Sequence, residues 1–135
     1  MKQVNVAAGI IISEGQVLAT MRDTGDFSGL WEFPGGKIEY GETPEETLHR
    51  EIYEELAIDV EIVELFHILD YDYPEFHLHM HCYICRPVSK EMILSVHREY
   101  RWLDRDSLKS VQWLPADIEI LEPLKDYLSC QNEML

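Results

Sequence analysis

The chain has 135 residues, the length of one ordinary domain and too short for two independent cores. Hydrophobic residues make up 46% and charged residues 27%, a composition that excludes a disordered chain. Eleven Lys and Arg against 26 Asp and Glu give a net charge of −15, which disfavours a nucleic-acid polymer as partner but admits a small polyanion met through a bound cation.

The elements follow in chain order. Val4 to Ile12 is β-branched and apolar and reads as a buried strand ending at the Glu14-Gly15 turn, with Val17 to Met21 as its hairpin partner. Asp23 to Gly29 is a loop, and Leu30 to Phe33 a short strand running into the Pro34-Gly35-Gly36 turn. A helix follows: Thr43 is the N-cap, Pro44 the first helical residue, and Glu46 completes a capping box. Leu48, Ile52 and Leu56 form its buried stripe. Val60 to Tyr71 and Phe76 to Cys85 are two long strands, and Glu99 to Leu103 is a shorter one. Asp104 to Val111 reads as a short helical turn, and Pro115 to Leu128 as a second helix in which Pro123 marks a kink or the start of the regular part. Mixed strands with one central and one terminal helix mean α+β or an α/β sandwich, in a single domain spanning 1–135.

The central helix carries the chemistry. Glu51, Glu54 and Glu55 stand at i, i+3 and i+4 and share one face. Carboxylates that close repel one another, and a hard divalent cation with oxygen ligands is the natural compensation. The alternative is a solvated acidic face.

The segment from Gly36 to Ile58 resembles the Nudix box, G-x5-E-x7-R-E-U-x-E-E-x-G-U with U a bulky aliphatic. Gly36, Glu42, Arg50-Glu51, Ile52, Glu54, Glu55 and Ile58 fill its places, and Ala57 replaces the final Gly. Leu30 to Lys37 is similar to the entry of the box in MutT-type members. Arg22, the Trp102 strand and Leu114 to Asp117 extend the likeness over nearly the whole chain. The resemblance implies an α/β/α sandwich with a mixed sheet, a central catalytic helix and a C-terminal helix. It also implies Mg²⁺-dependent hydrolysis of nucleoside triphosphates to monophosphate and pyrophosphate, with Mn²⁺ as a substitute metal. Glu51, Glu54, Glu55 and the Gly35 carbonyl would hold the metal, and Glu51 would act as general base. Lys37 and Arg22 would face the phosphates, and Phe33 could stack on a base. Asp117 occupies the position that reads the base, where an acid favours cytidine-type or oxidised-guanine nucleotides; otherwise it merely complements the helix dipole. Glu42 and Arg50 would form a structural ion pair. A further metal-binding acid six residues before the late Trp falls on Val96, so that ligand is either Glu99 or absent. Two alternatives stay open: a Nudix enzyme acting on a dinucleoside polyphosphate or nucleotide sugar, and a non-catalytic nucleotide-binding module.

Other features read as structural. His77, His79 and His81 alternate on one strand face, fitting a solvated face or the wall of a nucleotide cleft better than a zinc site. Cys82 and Cys85 face opposite sides of their strand, and Cys130 is a free thiol. Trp31, Trp102 and Trp113 read as packing residues. No apolar run reaches the ~20 residues of a bilayer span. Three cysteines without an export signal suggest the cytoplasm. Oligomeric state is left open.

Overall fold

The computed structural model of the chain describes residues 2–133, with side chains through residue 130. In chain order the elements are β1 (Lys2–Ser13), β2 (Gln16–Arg22), β3 (Trp31–Glu32), β4 (Gly35–Lys37), α1 (Pro44–Leu56), β5 (Val60–Asp72), β6 (Phe76–Pro87), β7 (His97–Leu103) and α2 (Pro115–Glu133). The strands form one mixed sheet in the order β3-β2-β1-β6-β5, with β4 also paired to β1 and β7 to β2. β1 and β6 run parallel from Lys2↔Phe76 to Ile11↔Cys85, and the other pairs are antiparallel.

The pairing of β1 sets up the site. It meets β2 only at the hairpin end, Ile12↔Val17 and Ser13↔Gln16, so the middle of the strand is free to pair with β4. Ala7 and Ala8 face Gly36 and Gly35 there. The turn expected at Pro34-Gly35-Gly36 therefore becomes a short strand locked onto the sheet, and Gly9 N–H donates to the Pro34 carbonyl at 2.7 Å.

A helix covers each face. Leu48, Ile52 and Leu56 of α1 pack on Ala7, Ile11, Leu18, Tyr83 and Cys85, while Ile120, Leu124 and Leu128 of α2 join a core with Ile10, Val17, Met80 and Ile84 on the other side. This is the expected α/β/α sandwich. Burial of Ile120 and Leu121 before Pro123 and of Leu124 and Leu128 after it holds α2 as one helix across the proline, and the helix runs on to Glu133, past the expected end at Leu128. The segment from Asp104 to Val111 contains only a single 3₁₀ turn, Leu108–Ser110. Among the described residues no helix is long and apolar enough to cross a membrane.

Candidate active site

α1 begins with the reciprocal cap expected from its sequence. Glu46 N–H donates to Thr43 Oγ1 at 3.1 Å, and Thr43 N–H donates to Glu46 Oε1 at 2.9 Å. Arg50, halfway along, ties the helix to the loop before it. Its Nε and Nη2 donate to the two oxygens of Glu42 at 2.8 and 2.9 Å, and its Nη2 also donates to the Lys37 carbonyl at 3.3 Å. The paired guanidinium, first among several donors, holds Glu42 down at about 2. Glu42 and Arg50 thus form the structural pair the sequence suggested.

The three acids of the helix separate into different surroundings. Residues 54 and 55 flank residue 51 on the helical wheel, about 100° apart. Glu51 accepts from Arg50 Nη1 at 2.8 Å, and its carboxylate fills the space beside Gly36, where an added Cβ would lie 2.3 Å from its Cδ. Glu54 turns outward with its side chain 58% exposed and shares the same guanidinium nitrogen at 3.4 Å. Glu55 points inward and accepts from Gly35 N–H at 3.1 Å. Burial, then the charges of Glu32 and Glu51, push Glu55 up to about 9. Gly35 itself admits no side chain, since a Cβ there would sit 2.1 Å from the Ala7 carbonyl oxygen.

Among the described residues no three His, Cys, Asp or Glu side chains form a ready cage for a metal ion. The donor set nevertheless fits Mg²⁺. Glu51 and Glu55 offer hard oxygens on either side of the Gly35–Gly36 backbone, and Mg²⁺ characteristically completes its shell with water and substrate phosphate.

These groups open into a cleft of about 220 Å³ lined by Arg22, Glu32, Lys37, Glu55 and Asp117, with apolar walls. Arg22 and Lys37 are its basic side chains. A larger cavity, about 540 Å³, lies near the opposite end of β1 beside Glu14 and Arg86 and contains none of these groups. Asp117, in the first turn of α2, is 5% exposed and accepts from Phe33 N–H at 3.1 Å. Its place is fixed by β3, because Trp31 N–H donates to the Gln112 carbonyl and Leu114 N–H donates to the Trp31 carbonyl. Burial and the nearby Glu32 push Asp117 up to about 8, so near neutral pH its carboxyl is mainly protonated and can donate as well as accept. Lying in the first turn of a helix is therefore only part of its setting.

Some expected positions look different in the fold. Phe33 is only 4% exposed and its ring packs on Trp113 at 4.6 Å between centroids, so it is a fixed wall of the cleft rather than a free stacking surface. Three further aromatic side chains line the cleft, Phe27, Tyr73 and Phe76, with Tyr73 and Phe76 stacked at 5.0 Å. Tyr73 belongs to the turn between two strands, and only the pairing of β5 with β6 carries it to the cleft. Glu99 lies 3.4 Å from Arg101 and does not line the cleft. The acid outside α1 whose charge acts on Glu55 is Glu32, which lies 3.5 Å from Arg22 Nε and 3.0 Å from Nε2 of the buried His97.

His77, His79 and His81 lie on the sheet face opposite the cleft-lining Leu78 and Met80, so they do not wall the cleft. His77 and His79 contact Asp70 there at 2.9 and 2.8 Å. Cys82 and Cys85 fall in opposite cores, and all three cysteines are free. Trp31 and Trp113 are core residues, while Trp102 is partly buried beneath Lys90.

A mixed sheet lies between two helices, with the two glycines of β4 facing the helix-borne carboxylates Glu51 and Glu55 beside a cleft that holds two basic side chains. The chain belongs to the NUDIX domain family, which it matches over residues 1–124. It is 36% identical over 125 residues to an 8-oxo-dGTP diphosphatase of Haemophilus influenzae, covering 91% of this chain and 92% of that one. It is 31% identical over 123 residues to a CTP pyrophosphohydrolase of Escherichia coli, covering 90% and 91% of the two chains. Among solved structures it superposes on a MutT NUDIX hydrolase from Burkholderia pseudomallei with a TM-score of 0.82 at 26% identity, covering 90% of this chain and 98% of that one.

Proposed function

We propose that residues 1–135 act as one Nudix hydrolase domain that cleaves nucleoside triphosphates to the monophosphate and pyrophosphate with Mg²⁺, or Mn²⁺ in its place. The observation that carries this reading is the shared cleft: Glu55, Arg22, Lys37 and Asp117 line the same cavity, beside Gly35 and Gly36 of β4 and Glu51. Glu51, Glu54, Glu55 and the Gly35 carbonyl are the ligands assigned to the metal, with Glu54 able to reach it once freed from Arg50. When bound, Mg²⁺ supplies charge neutralisation to the phosphates and polarises the bond that breaks. Arg22 and Lys37 bind and orient the phosphate chain, the first through its planar fork and the second as a point charge. Glu51 is the group assigned to accept the proton of the attacking water, and the bond to Arg50 fixes its direction.

Asp117 is assigned to the base. Cytosine and guanine carry an exocyclic amine that thymine lacks, and a carboxyl oxygen of Asp117 can accept from it. A cytidine-type or oxidised-guanine triphosphate is therefore expected over thymidine triphosphate, with Asp117→Asn changing the ranking. The two relatives, an 8-oxo-dGTP diphosphatase and a CTP pyrophosphohydrolase, support this choice. Phe27, Tyr73 and Phe76 supply apolar area in the cleft, and Phe33 helps through its N–H to Asp117 and its packed ring.

Carboxylate variants test the metal assignment. Glu51→Gln and Glu54→Gln are expected to lose most of kcat with little loss of fold, because each Gln keeps a side-chain oxygen for Arg50 while the lost ion pair is offset by relieved repulsion. Near-wild-type turnover in both would remove the metal site from α1.

A further inference from the structure

The end of a helix leaves its last four carbonyls without partners inside the helix, and it concentrates negative charge there. In α1 those carbonyls belong to Tyr53, Glu54, Glu55 and Leu56, so the unpaired end coincides with the acidic cluster, and no basic residue stands in the last turn. All four nevertheless have donors. Ala57 N–H donates to the Tyr53 carbonyl at 2.9 Å, and the other donors come from a distant piece of chain between β6 and β7. Ser95 Oγ donates to the Glu54 carbonyl at 2.8 Å, with a second contact to the Glu55 carbonyl at 3.3 Å. Ser95 N–H donates to the Glu55 carbonyl at 3.1 Å, and Ile93 N–H to the Leu56 carbonyl at 2.9 Å.

We propose that Ser95 is a positioning residue for the metal-binding carboxylates: by holding the Glu54 and Glu55 carbonyls it fixes the last turn of α1 in the geometry the metal needs. Two features single it out. The cap at Ala57 is a non-glycine residue in the left-handed region, φ 57°, and its N–H meets only the Tyr53 carbonyl, leaving the next three to donors from outside the helix. Ser95 also bonds the backbone of the two residues whose side chains diverge most, Glu54 toward solvent and Glu55 into the cleft. A small rotation of that turn would move both carboxylates together. Ser95 touches neither substrate nor metal and acts only through the helix.

This inference rests on the metal-site reading, and a Mn²⁺ titration followed by electron paramagnetic resonance without nucleotide separates the two. Wild type, Glu55→Gln, Ser95→Ala, Ser95→Thr and Ser89→Ala are compared, the last removing a hydroxyl of the same segment that only accepts from Glu91 N–H. Wild type and Ser89→Ala are expected to bind alike and Glu55→Gln to lose the site. Ser95→Ala should bind about fivefold more weakly, the worth of one hydrogen bond, and Ser95→Thr, which keeps the hydroxyl, should recover most of that loss. A lowered melting temperature with unchanged Mn²⁺ affinity in Ser95→Ala would reduce Ser95 to a structural cap and overturn the inference alone. Absence of Mn²⁺ binding by the wild type would overturn the metal-site reading and this inference with it.

Discussion

Replacing Asp117 by Asn should stabilise the metal-free protein near neutral pH, and by more as the pH rises. In the unfolded chain the carboxyl ionises near 3.8, whereas burial and Glu32 push it up to about 8 in the folded protein. Phe33 N–H and Arg22 oppose that rise, and Tyr73 and Cys82 complete the titratable surroundings. Between those two values the folded state holds a proton that the unfolded state has released, so stability falls with rising pH across that window. At pH 7 this spans about three pH units at about 1.4 kcal/mol each, a ceiling of about 4 kcal/mol. Asn keeps an oxygen for Phe33 N–H but buries an amide N–H₂, which takes back about 2 kcal/mol. The expected net gain is about 2 kcal/mol near pH 7; it falls to zero at about pH 5 and becomes a loss of about 2 kcal/mol near pH 4, where only the amide cost remains. Urea unfolding of both proteins with chelator present, from about pH 4 to about pH 8, measures it, since contributions from groups that do not interact with Asp117 cancel in the difference. A stability difference that does not change over this range would refute the buried-acid reasoning.

Gly36→Ala should fold yet lose about a hundredfold in turnover, because its Cβ displaces only the flexible end of Glu51; kinetics alongside a melting curve check both halves. Mg²⁺ should raise the melting temperature of the wild type, by up to about 2.7 kcal/mol of stability at a hundredfold excess over Kd, and leave Glu55→Gln unmoved in the same thermal scan. Ala57→Gly should stabilise by about 1 kcal/mol in chemical unfolding, since φ 57° strains a residue with a Cβ.

Local chemistry was the legible part of this chain. The capping box at Thr43 and Glu46 and the stripe of Leu48, Ile52 and Leu56 are written within one helix, and they place Glu51, Glu54 and Glu55 before any strand is paired. What depends on distant pairing could not be read that way. Glu32 and His97 meet because β3 and β7 flank opposite edges of β2 near its end, with Thr20 opposite Glu32 and Arg22 opposite His97. Ser95 reaches the end of α1 from forty residues further along the chain. Aromatic identity marked Phe33 as a side chain of the cleft but said nothing of the partner its ring packs on, Trp113, which comes from eighty residues further along the chain. Alternation along β6 correctly grouped the three histidines, but which side of the sheet they occupy was fixed by Leu78 and Met80 taking the cleft side.

Product analysis across a panel of nucleoside triphosphates with Mg²⁺, including CTP, 8-oxo-dGTP and dTTP, tests the assigned reaction most directly. Phosphorus NMR should show the monophosphate and pyrophosphate appearing together, fastest with the cytidine-type or oxidised-guanine substrates and absent when Mg²⁺ is chelated. Release of single orthophosphate, or no turnover of any triphosphate while a dinucleoside polyphosphate or nucleotide sugar is cleaved, would contradict it.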